Sequence, residues 1–316
     1  MKHLVKKHIK KGTFVYWLFK IPYSLLEKLK ELFTDSYIIL LEHYYHVKSR
    51  HSQKSGVLKN NRATPLIVSL TTIPERINKV HLCIETLLEQ SCKPDSIILW
   101  LADSITENEI PKDLKHLESR GLQIRFCKDI RSYKKIIYTL MEHPMSIIVT
   151  ADDDVLYSKY WLSRLYEAYQ KEPEYIHCHR AHLMEIDNDG KLKSYHDWLW
   201  CSPGVQGPSF LLFPTGSGGV LYPPGSLNGE VLNIELFMQI CQTGDDVWLK
   251  AMSLLNGTSC KKVRPYSMNL FEIRGIKSSL WDVNMKIIDN ISRNDQQIQA
   301  VFMQYELLSY LRKGNQ

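Results

Sequence analysis

The sequence contains no CxxC pair and no compact set of cysteine and histidine, so the spacing of a zinc finger is absent. Its seven cysteines lie singly along 316 residues. This pattern favours reduced thiols in a cytoplasmic compartment. The adjacent residues His177, Cys178 and His179 leave two interpretations open, a strand with alternating faces or a pair of zinc ligands. We expect the strand, because alternate residues of a strand point to opposite sides.

Long hydrophobic runs are also missing. No stretch of about 18 uncharged apolar residues occurs, which is the length that a membrane-spanning helix needs, so we expect no such helix. Lysines near the N-terminus are not followed by the small residues of a signal-peptidase site. We therefore expect no cleaved signal peptide. The Gly-Lys-Ser/Thr triplet of a Walker-type phosphate loop is absent as well.

Positive charge is unevenly distributed along the chain. The net charge is +6, from 40 Lys/Arg and 34 Asp/Glu. Residues 1–60 contain 12 Lys/Arg and 4 Asp/Glu, whereas residues 61–316 contain 28 and 30. Enzymes that act on nucleic acids usually carry basic charge around the site itself. The slightly acidic main part of the chain therefore excludes nucleic acid as the expected substrate.

The basic segment, residues 1–60, also has an amphipathic pattern. Pro22 is predicted to begin a helix, and His51–Asn61 is a polar linker. Basic residues beside an aromatic-rich apolar face are typical of a helix lying in the headgroups of an anionic membrane. A helix that packs on the protein's own surface is the alternative. We expect a cytoplasmic protein, peripheral on the inner face of the cell membrane. The predicted apolar face carries Leu25, Leu26, Leu29 and Phe33.

Apolar strands alternate with helical patterns from residue 61 onward. This alternation predicts an α/β fold with a mostly parallel sheet and helices on both faces, extending over residues 61–316. The four predicted strands are Leu66–Thr72, Ser96–Ala102, Gln123–Asp129 and Ser146–Asp154, the last of which runs into an acidic turn.

Three consecutive acids, Asp152, Asp153 and Asp154, end the fourth strand. In such sheets ligands bind beyond the carboxyl ends of the strands. Adjacent carboxylates repel each other, and Mn²⁺ or Mg²⁺ relieves this repulsion by binding carboxylate oxygens. Because alternate residues face the same way, we predict that Asp152 and Asp154 bind the metal and that Asp153 points aside. A solvated acidic turn or a helix cap is the alternative.

Four segments carry a resemblance to a known family. LIVSLTTIPERI, VTADDDVLY, TGSGGVLYPP and GDDVWLKAM resemble the first strand, the DxD motif, the glycine loop and the later acidic motif of GT-A glycosyltransferases. The resemblance is close to the family 2 type of bacterial capsule and lipopolysaccharide synthesis, and it covers residues 64–285. It implies a GT-A (Rossmann-like) domain. Its nucleotide-sugar half is about 61–155, its acceptor half about 156–285, and its closing helices 286–316.

The resemblance also implies a donor site. A guanidinium at a helix start suits a phosphate. A carboxylate after the second strand suits the nucleobase of the donor. Lysines before a helix suit the diphosphate of the donor. Glycines allow the transferred sugar to approach the backbone, and a later basic stretch suits a lid. Surface positions or a structural turn are the alternatives. The implied donor-binding residues are Thr72, Arg76, Asp103, Lys134, Lys135, Asp152, Asp153, Gly218, Gly219 and Lys277.

The later acidic motif is Asp245-Asp246 where the family has Glu-Asp. By the family's order, Asp246 is the catalytic base that takes a proton from the acceptor hydroxyl, and Asp245 is its partner. A pair of helix-capping residues is the alternative. Nearby aromatic residues suit either the core or stacking on a sugar, namely Tyr195, Trp198 and Trp200.

We therefore predict a metal-dependent glycosyltransferase of surface polysaccharide synthesis. It would move a sugar from a nucleotide-sugar, expected to be a UDP-sugar, to a glycan or lipid-linked acceptor, with inversion. Two alternatives remain. A nucleotidyltransferase acting on sugar phosphates would need a glycine-rich loop after the first strand, whereas this chain has TTIPER. A non-catalytic carbohydrate-binding protein at the membrane would not need both acidic motifs.

Overall fold

The computed structural model divides the chain into two compact units, Met1–Tyr45 and His46–Gln316. The predicted boundary at residue 60 lies beyond this division. For residues 14–24, 288 and 312–313 only the backbone is described. The residues described are 14–58, 62–268, 270–276, 283–288 and 291–313.

A single long helix, α1 (Phe14–His51), forms the described part of the first unit and enters the second. The predicted start at Pro22 is wrong, because the helix begins at Phe14 and continues through the proline. Leu18 and Lys20 before Pro22, and the leucines and lysines after it, favour a helix and offset the backbone hydrogen bond lost at the proline. No helix in the described part of the chain is long and apolar enough to cross a membrane.

A seven-stranded sheet forms the centre of the second unit, in the order β10-β6-β9-β4-β1-β2-β3. Only β9 runs antiparallel to its neighbours within the described sheet; the other pairs are parallel. The strands are β1 (Leu66–Thr71), β2 (Ser96–Ala102), β3 (Leu122–Cys127), β4 (Ile147–Thr150), β6 (Ile176–Cys178), β9 (Val220–Tyr222) and β10 (Cys260–Lys262).

Helices flank this sheet, and shorter strand pairs surround it. The mostly parallel sheet with flanking helices confirms the predicted α/β fold class. The helices are α2 (Val80–Leu88), α3 (Lys112–His116), α4 (Lys134–Glu142), α5 (Trp161–Lys171), α6 (Ile234–Ile240), α7 (Asp245–Leu255), α8 (Arg293–Gln304) and α9 (Leu308–Lys313). The short strands are β5 (Val155–Leu156), β7 (Ala181–Leu183), β8 (Leu212–Pro214), β11 (Phe271–Glu272), β12 (Ile287–Ile288) and β13 (Ile291–Ser292).

The central strands are apolar and buried, as their sequences predict. In β1 and β4 every residue is buried except Thr71 at the end of β1. Helix α4 packs against β1 and β2, where Thr139 bonds Ser69 at 2.7 Å and accepts the indole N–H of Trp100 at 2.8 Å. These bonds satisfy polar groups that burial would otherwise destabilise.

Two local predictions agree with the structure. Strand β4 ends at Thr150, and the chain turns where the three acids begin, as the sequence predicts. His177 and Cys178 of the HCH segment lie in a strand, β6, and His179 follows its end. The imidazoles of His177 and His179 bond the backbone carbonyls of Glu172 and Trp161, at 2.8 and 2.9 Å. Both rings therefore serve the packing of the domain.

Candidate functional site

A cleft of about 860 Å³ opens at the carboxyl ends of the parallel strands in the second unit. It is lined by the ends of β1 and β3, the acidic turn after β4, the glycine loop before β9 and the first turn of α7. This is the edge at which α/β sheets bind ligands. The two acidic motifs therefore face one cavity, although about 90 residues separate them.

The central acid, Asp153, is buried and bonded to the loop after β1. It accepts hydrogen bonds from Thr72 Oγ1 at 2.5 Å and from Arg76 Nη1 at 2.6 Å. Burial raises the pKa of Asp153, and Arg76 and Thr72 partly offset that rise. Asp153 thus orients Thr72 and Arg76 at the rim of the cleft.

Asp154 lies at the end of the acidic turn and is partly exposed. Arg76 Nη1 donates to its Oδ2 at 3.0 Å. Burial and the neighbouring charges of Asp152 and Asp153 raise the pKa of Asp154 to about 7. Glu272 of β11 adds negative charge on the same side. This density of carboxylate charge is what a divalent cation neutralises.

Lys135 joins the two acidic motifs. Its Nζ donates to Asp152 Oδ1 at 2.7 Å and lies 3.0 Å from Asp245 Oδ2. Burial by itself lowers the pKa of Lys135, but the charges of Asp152, Asp245 and Asp246 outweigh it and hold the pKa well above its usual value. The cleft therefore has a fixed positive charge between its acids.

Asp245 and Asp246 form the first turn of α7, but the cap residue is Gly244, and no side-chain hydrogen bond caps this helix in the described structure. The capping interpretation is therefore not supported. Asp245 is buried and accepts from Ser132 Oγ at 2.8 Å.

The second acid of this motif faces the glycine loop. Both oxygens of Asp246 accept the backbone N–H of Gly216 at 3.1 Å. Burial and the charge of Asp245 raise the pKa of Asp246 to about 7. A carboxyl group with this pKa is suited to accept a proton near neutral pH.

Gly216 is the glycine of the loop that lines the cleft. A Cβ added there would lie 3.1 Å from Lys135 Nζ, 3.2 Å from Asp246 Oδ1 and 3.5 Å from Asp152 Oδ1. Because this position has no side chain, the backbone of the loop closely approaches the polar atoms of both acidic motifs.

Two predicted donor-binding glycines lie elsewhere. Gly218 and Gly219 fall outside the described lining of the cleft. A Cβ on Gly218 would come within 2.7 Å of Arg180 Cβ, and one on Gly219 within 2.4 Å of the ring of Trp161. Their lack of a side chain is thus explained by packing.

The other predicted donor-binding residues divide as well. Asp103 is exposed after β2 and falls outside the described lining of the cleft. Lys134 lines the cleft, but its Nζ is bonded to Asp129 Oδ1 at 2.5 Å. Lys277 lies outside the described residues. Thr72, Arg76, Lys135, Asp152 and Asp153 all line the cleft.

Ser132 and Arg180 are among the polar residues of the cleft that sequence reasoning missed. Ser132 follows β3, so the strand-end rule that identified Asp152 would also have found it. Arg180 follows β6 and donates to the hydroxyls of Thr215 and Ser217 at 3.3 and 3.1 Å.

The aromatic cluster is shared between core and cleft. Trp198 is buried in the core and packs edge-on against Phe213. Tyr195 borders the cleft but is buried as well, whereas Trp200 lines the cleft and is partly exposed.

Substituting Gly216 by Ala should lower turnover about 10-fold or more with little loss of stability. The new methyl enters the space beside Lys135 and Asp246, and misplacement of about 1 Å at a reacting centre costs up to about 100-fold. The matched control is Gly229→Ala, where an added Cβ meets nothing within 4 Å. Steady-state kinetics and thermal melting of both variants test this; equal turnover would remove Gly216 from the site.

Comparison with known proteins finds a structural likeness without a sequence match. No protein-family model matches the chain, and no curated protein does. The chain is similar to the mannosyltransferase PcManGT from Pyrobaculum calidifontis, solved with GDP-Man and Mn²⁺. The identity is 10% over 88% of this chain and 79% of that chain, with a TM-score of 0.45. Similarity at this level assigns neither family nor substrate.

Proposed function

We propose that the protein is a metal-dependent glycosyltransferase that moves a sugar from a nucleotide-sugar, a UDP-sugar in the first instance, to a glycan or lipid-linked acceptor. One observation carries the proposal. The acidic turn after β4 and the acidic pair of α7 line one cleft and share Lys135 as a common partner. A metal-dependent transfer needs this combination, because it must stabilise a leaving diphosphate and deprotonate an acceptor.

The donor side would be built on the acidic turn. Asp152 and Asp154 offer only oxygen ligands, the type that Mn²⁺ and Mg²⁺ prefer. When bound, the ion neutralises the charge of the diphosphate. Lys135 supplies a second positive charge at Asp152, and Arg76 a third at Asp154. Asp153 holds Arg76 in this position.

The acceptor side would be built on Asp246, Tyr195 and Trp200. The carboxylate of Asp246 takes the proton of the acceptor hydroxyl while that oxygen attacks the anomeric carbon. The bond from this carbon to the diphosphate breaks at the same time, and the diphosphate leaves on the opposite side. A single displacement of this kind inverts the anomeric carbon. The partly exposed ring of Trp200 offers an apolar face to the acceptor sugar, and the buried Tyr195 packs against that ring.

The test is release of nucleoside diphosphate from a panel of UDP-, GDP- and dTDP-sugars with Mn²⁺, with the product anomer determined by NMR. We expect UDP release and an inverted product. Release of pyrophosphate from sugar phosphate and nucleoside triphosphate would instead identify a nucleotidyltransferase. Sugar binding without turnover of any donor would identify a carbohydrate-binding protein.

A membrane role is proposed for the first unit in this same function of surface polysaccharide synthesis. The segment 1–60 holds the basic excess of the chain. Side chains spaced three and four residues apart share one face of a helix. Along α1 such a set of exposed apolar side chains comprises Leu25, Leu26, Leu29, Leu32, Phe33, Tyr37, Leu40 and Tyr44.

Replacing Leu26 and Phe33 by Gln in the full chain should weaken binding to anionic vesicles about 10-fold or more, because each large side chain contributes about 1.5–3 kcal/mol when buried. Added salt should weaken binding further by screening the basic residues. Co-sedimentation with phosphatidylglycerol vesicles measures both effects. Glu31→Gln, on the opposite side of α1, is the control and should not weaken binding. Equal sedimentation of all variants would contradict membrane attachment through this face.

A further inference from the structure

Three metal-ligand side chains meet on the second unit away from the cleft. His46 lies near the end of α1, His81 in α2 and Asp113 in α3. One ligand atom from each side chain lies within 4.8 Å of the ligand atoms of the other two. Among the described residues, this is the one group of three or more such side chains that lie this close together. None of the three belongs to the described lining of the cleft.

The two imidazoles are spaced as two ligands of one ion. His46 Nδ1 and His81 Nε2 are 3.1 Å apart. Two nitrogens bound at about 2.0–2.1 Å in a tetrahedral shell lie about 3.3 Å apart. The rings therefore need almost no movement to share an ion. A hydrogen bond between the rings also gives this distance, so the third side chain must decide.

The carboxylate of Asp113 is held beside the two rings. Its Oδ2 lies 3.9 Å from His46 Nδ1. Arg50, one turn after His46 on α1, donates to Asp113 Oδ1 at 2.9 Å and to Oδ2 at 2.8 Å. Ligating carboxylates are commonly held by such an outer hydrogen bond. Oδ2 retains a second lone pair for an ion.

We propose that His46, His81 and Asp113 form a second metal site, which binds Zn²⁺ with water as the fourth ligand. The His46 side chain is 40% exposed, which leaves access for the water. Two imidazole nitrogens favour Zn²⁺ over Mg²⁺ and Mn²⁺, whereas the oxygen-only acids of the cleft favour the latter ions. The two sites thus differ in the ion they select.

The consequence of this site is structural. The three ligands come from separate helices, 35 and 67 residues from the first ligand along the chain. An ion that joins them ties together positions far apart in the chain. Bringing such positions together without the ion costs conformational entropy, and that cost rises with the length of the loop. The site therefore fastens residues 46–51 of α1 to α2 and α3. It is independent of the proposed transferase activity and stands or falls separately.

The test uses the full chain with any histidine tag removed. ZnCl₂ titration by calorimetry and Co²⁺ absorption spectra measure binding, with Asp154→Asn as a background that weakens the cleft site. We expect one Zn²⁺ per chain and a tetrahedral Co²⁺ spectrum. Loss of an outer hydrogen bond alone costs about 10–100-fold in metal affinity, so His46→Ala or His81→Ala should cost at least about 100-fold. His51→Ala, exposed on the same helix, should bind like wild type.

Stability gives a second readout. At a zinc concentration about 100-fold above Kd, the melting temperature of the wild-type protein should rise by roughly 5 °C, and this rise should vanish in His46→Ala. If the buried His81 variant does not fold, the partly exposed His46 variant still decides. Zinc binding that is equal in every variant, or absent from the wild type, would overturn the site and leave a hydrogen-bonded pair of imidazoles.

Discussion

Replacing Asp246 by Asn should lower kcat about 10²-fold or more and leave donor binding nearly unchanged. The amide keeps the shape of the side chain, and its oxygen can still accept the N–H of Gly216. It cannot take the proton of the acceptor hydroxyl, a contribution of about 10²–10⁴-fold in general-base catalysis. Calorimetry of the nucleotide-sugar and UDP release measure the two quantities separately.

The neighbouring acid provides the matched control. Asp245→Asn removes a buried partner of Lys135 and Ser132. It should therefore reduce the stability of the protein or its affinity for the donor, and should change kcat little. If Asp246→Asn turns over like wild type while Asp245→Asn is inactive with donor bound, the two roles are reversed. If both variants are active, the base lies elsewhere.

The pH profile offers an independent readout of the same residue. Because the pKa of Asp246 is raised to about 7, kcat/KM at saturating Mn²⁺ should fall as the pH drops below about 7. Protonation removes the base in that range. The residual activity of Asp246→Asn should lack this dependence.

The sheet and its acidic edge could be predicted from the sequence because their signals are local. Strand β2 has the bounds expected from its apolar run, Ser96–Ala102. The position of Asp152–Asp154 follows from the end of an apolar run, because buried strands turn where charged residues begin. These inferences need only the period of a strand and the cost of burying charge.

The links within the cleft could not be predicted because they depend on distant residues. Lys135 and Asp245 are 110 positions apart, and nothing in the pattern around Lys135 indicates that it faces inward while Lys134 pairs with Asp129. The glycine loop has the same difficulty. Gly216, Gly218 and Gly219 look alike in sequence, and only the positions of Arg180 and Trp161 show which of them face protein.

The cleft combines features that destabilise the fold with features that suit a cation. Asp154 has a pKa of about 7 in the folded protein against 3.8 for the free group. Its charged form is therefore disfavoured by folding, and an ion bound beside it would remove this penalty. Activity and stability should respond in opposite directions when this carboxylate is removed.

Asp154→Asn should lower turnover by about 10³-fold, the scale of the several kcal/mol that a bound ion contributes. In metal-free buffer at pH 8 the same variant should be more stable than wild type by about 1 kcal/mol or more. The sign follows from proton binding. Between pH 4 and 7 the folded protein holds a proton on Asp154 that the unfolded chain has lost, so stability from this group falls as pH rises through about 7.

The stabilising effect of Asp154→Asn should therefore shrink as the pH falls from 8 toward 4, and added Mn²⁺ should stabilise only the wild type. Thermal melting with and without EDTA measures this, and UDP release measures turnover. Asp189→Asn, an exposed acid outside the described lining of the cleft, is the control and should change neither quantity. Full turnover of Asp154→Asn, or of the wild type in EDTA, would contradict the metal role. A loss of stability at pH 8 would show that the carboxylate is held favourably by Arg76 alone, without need of an ion.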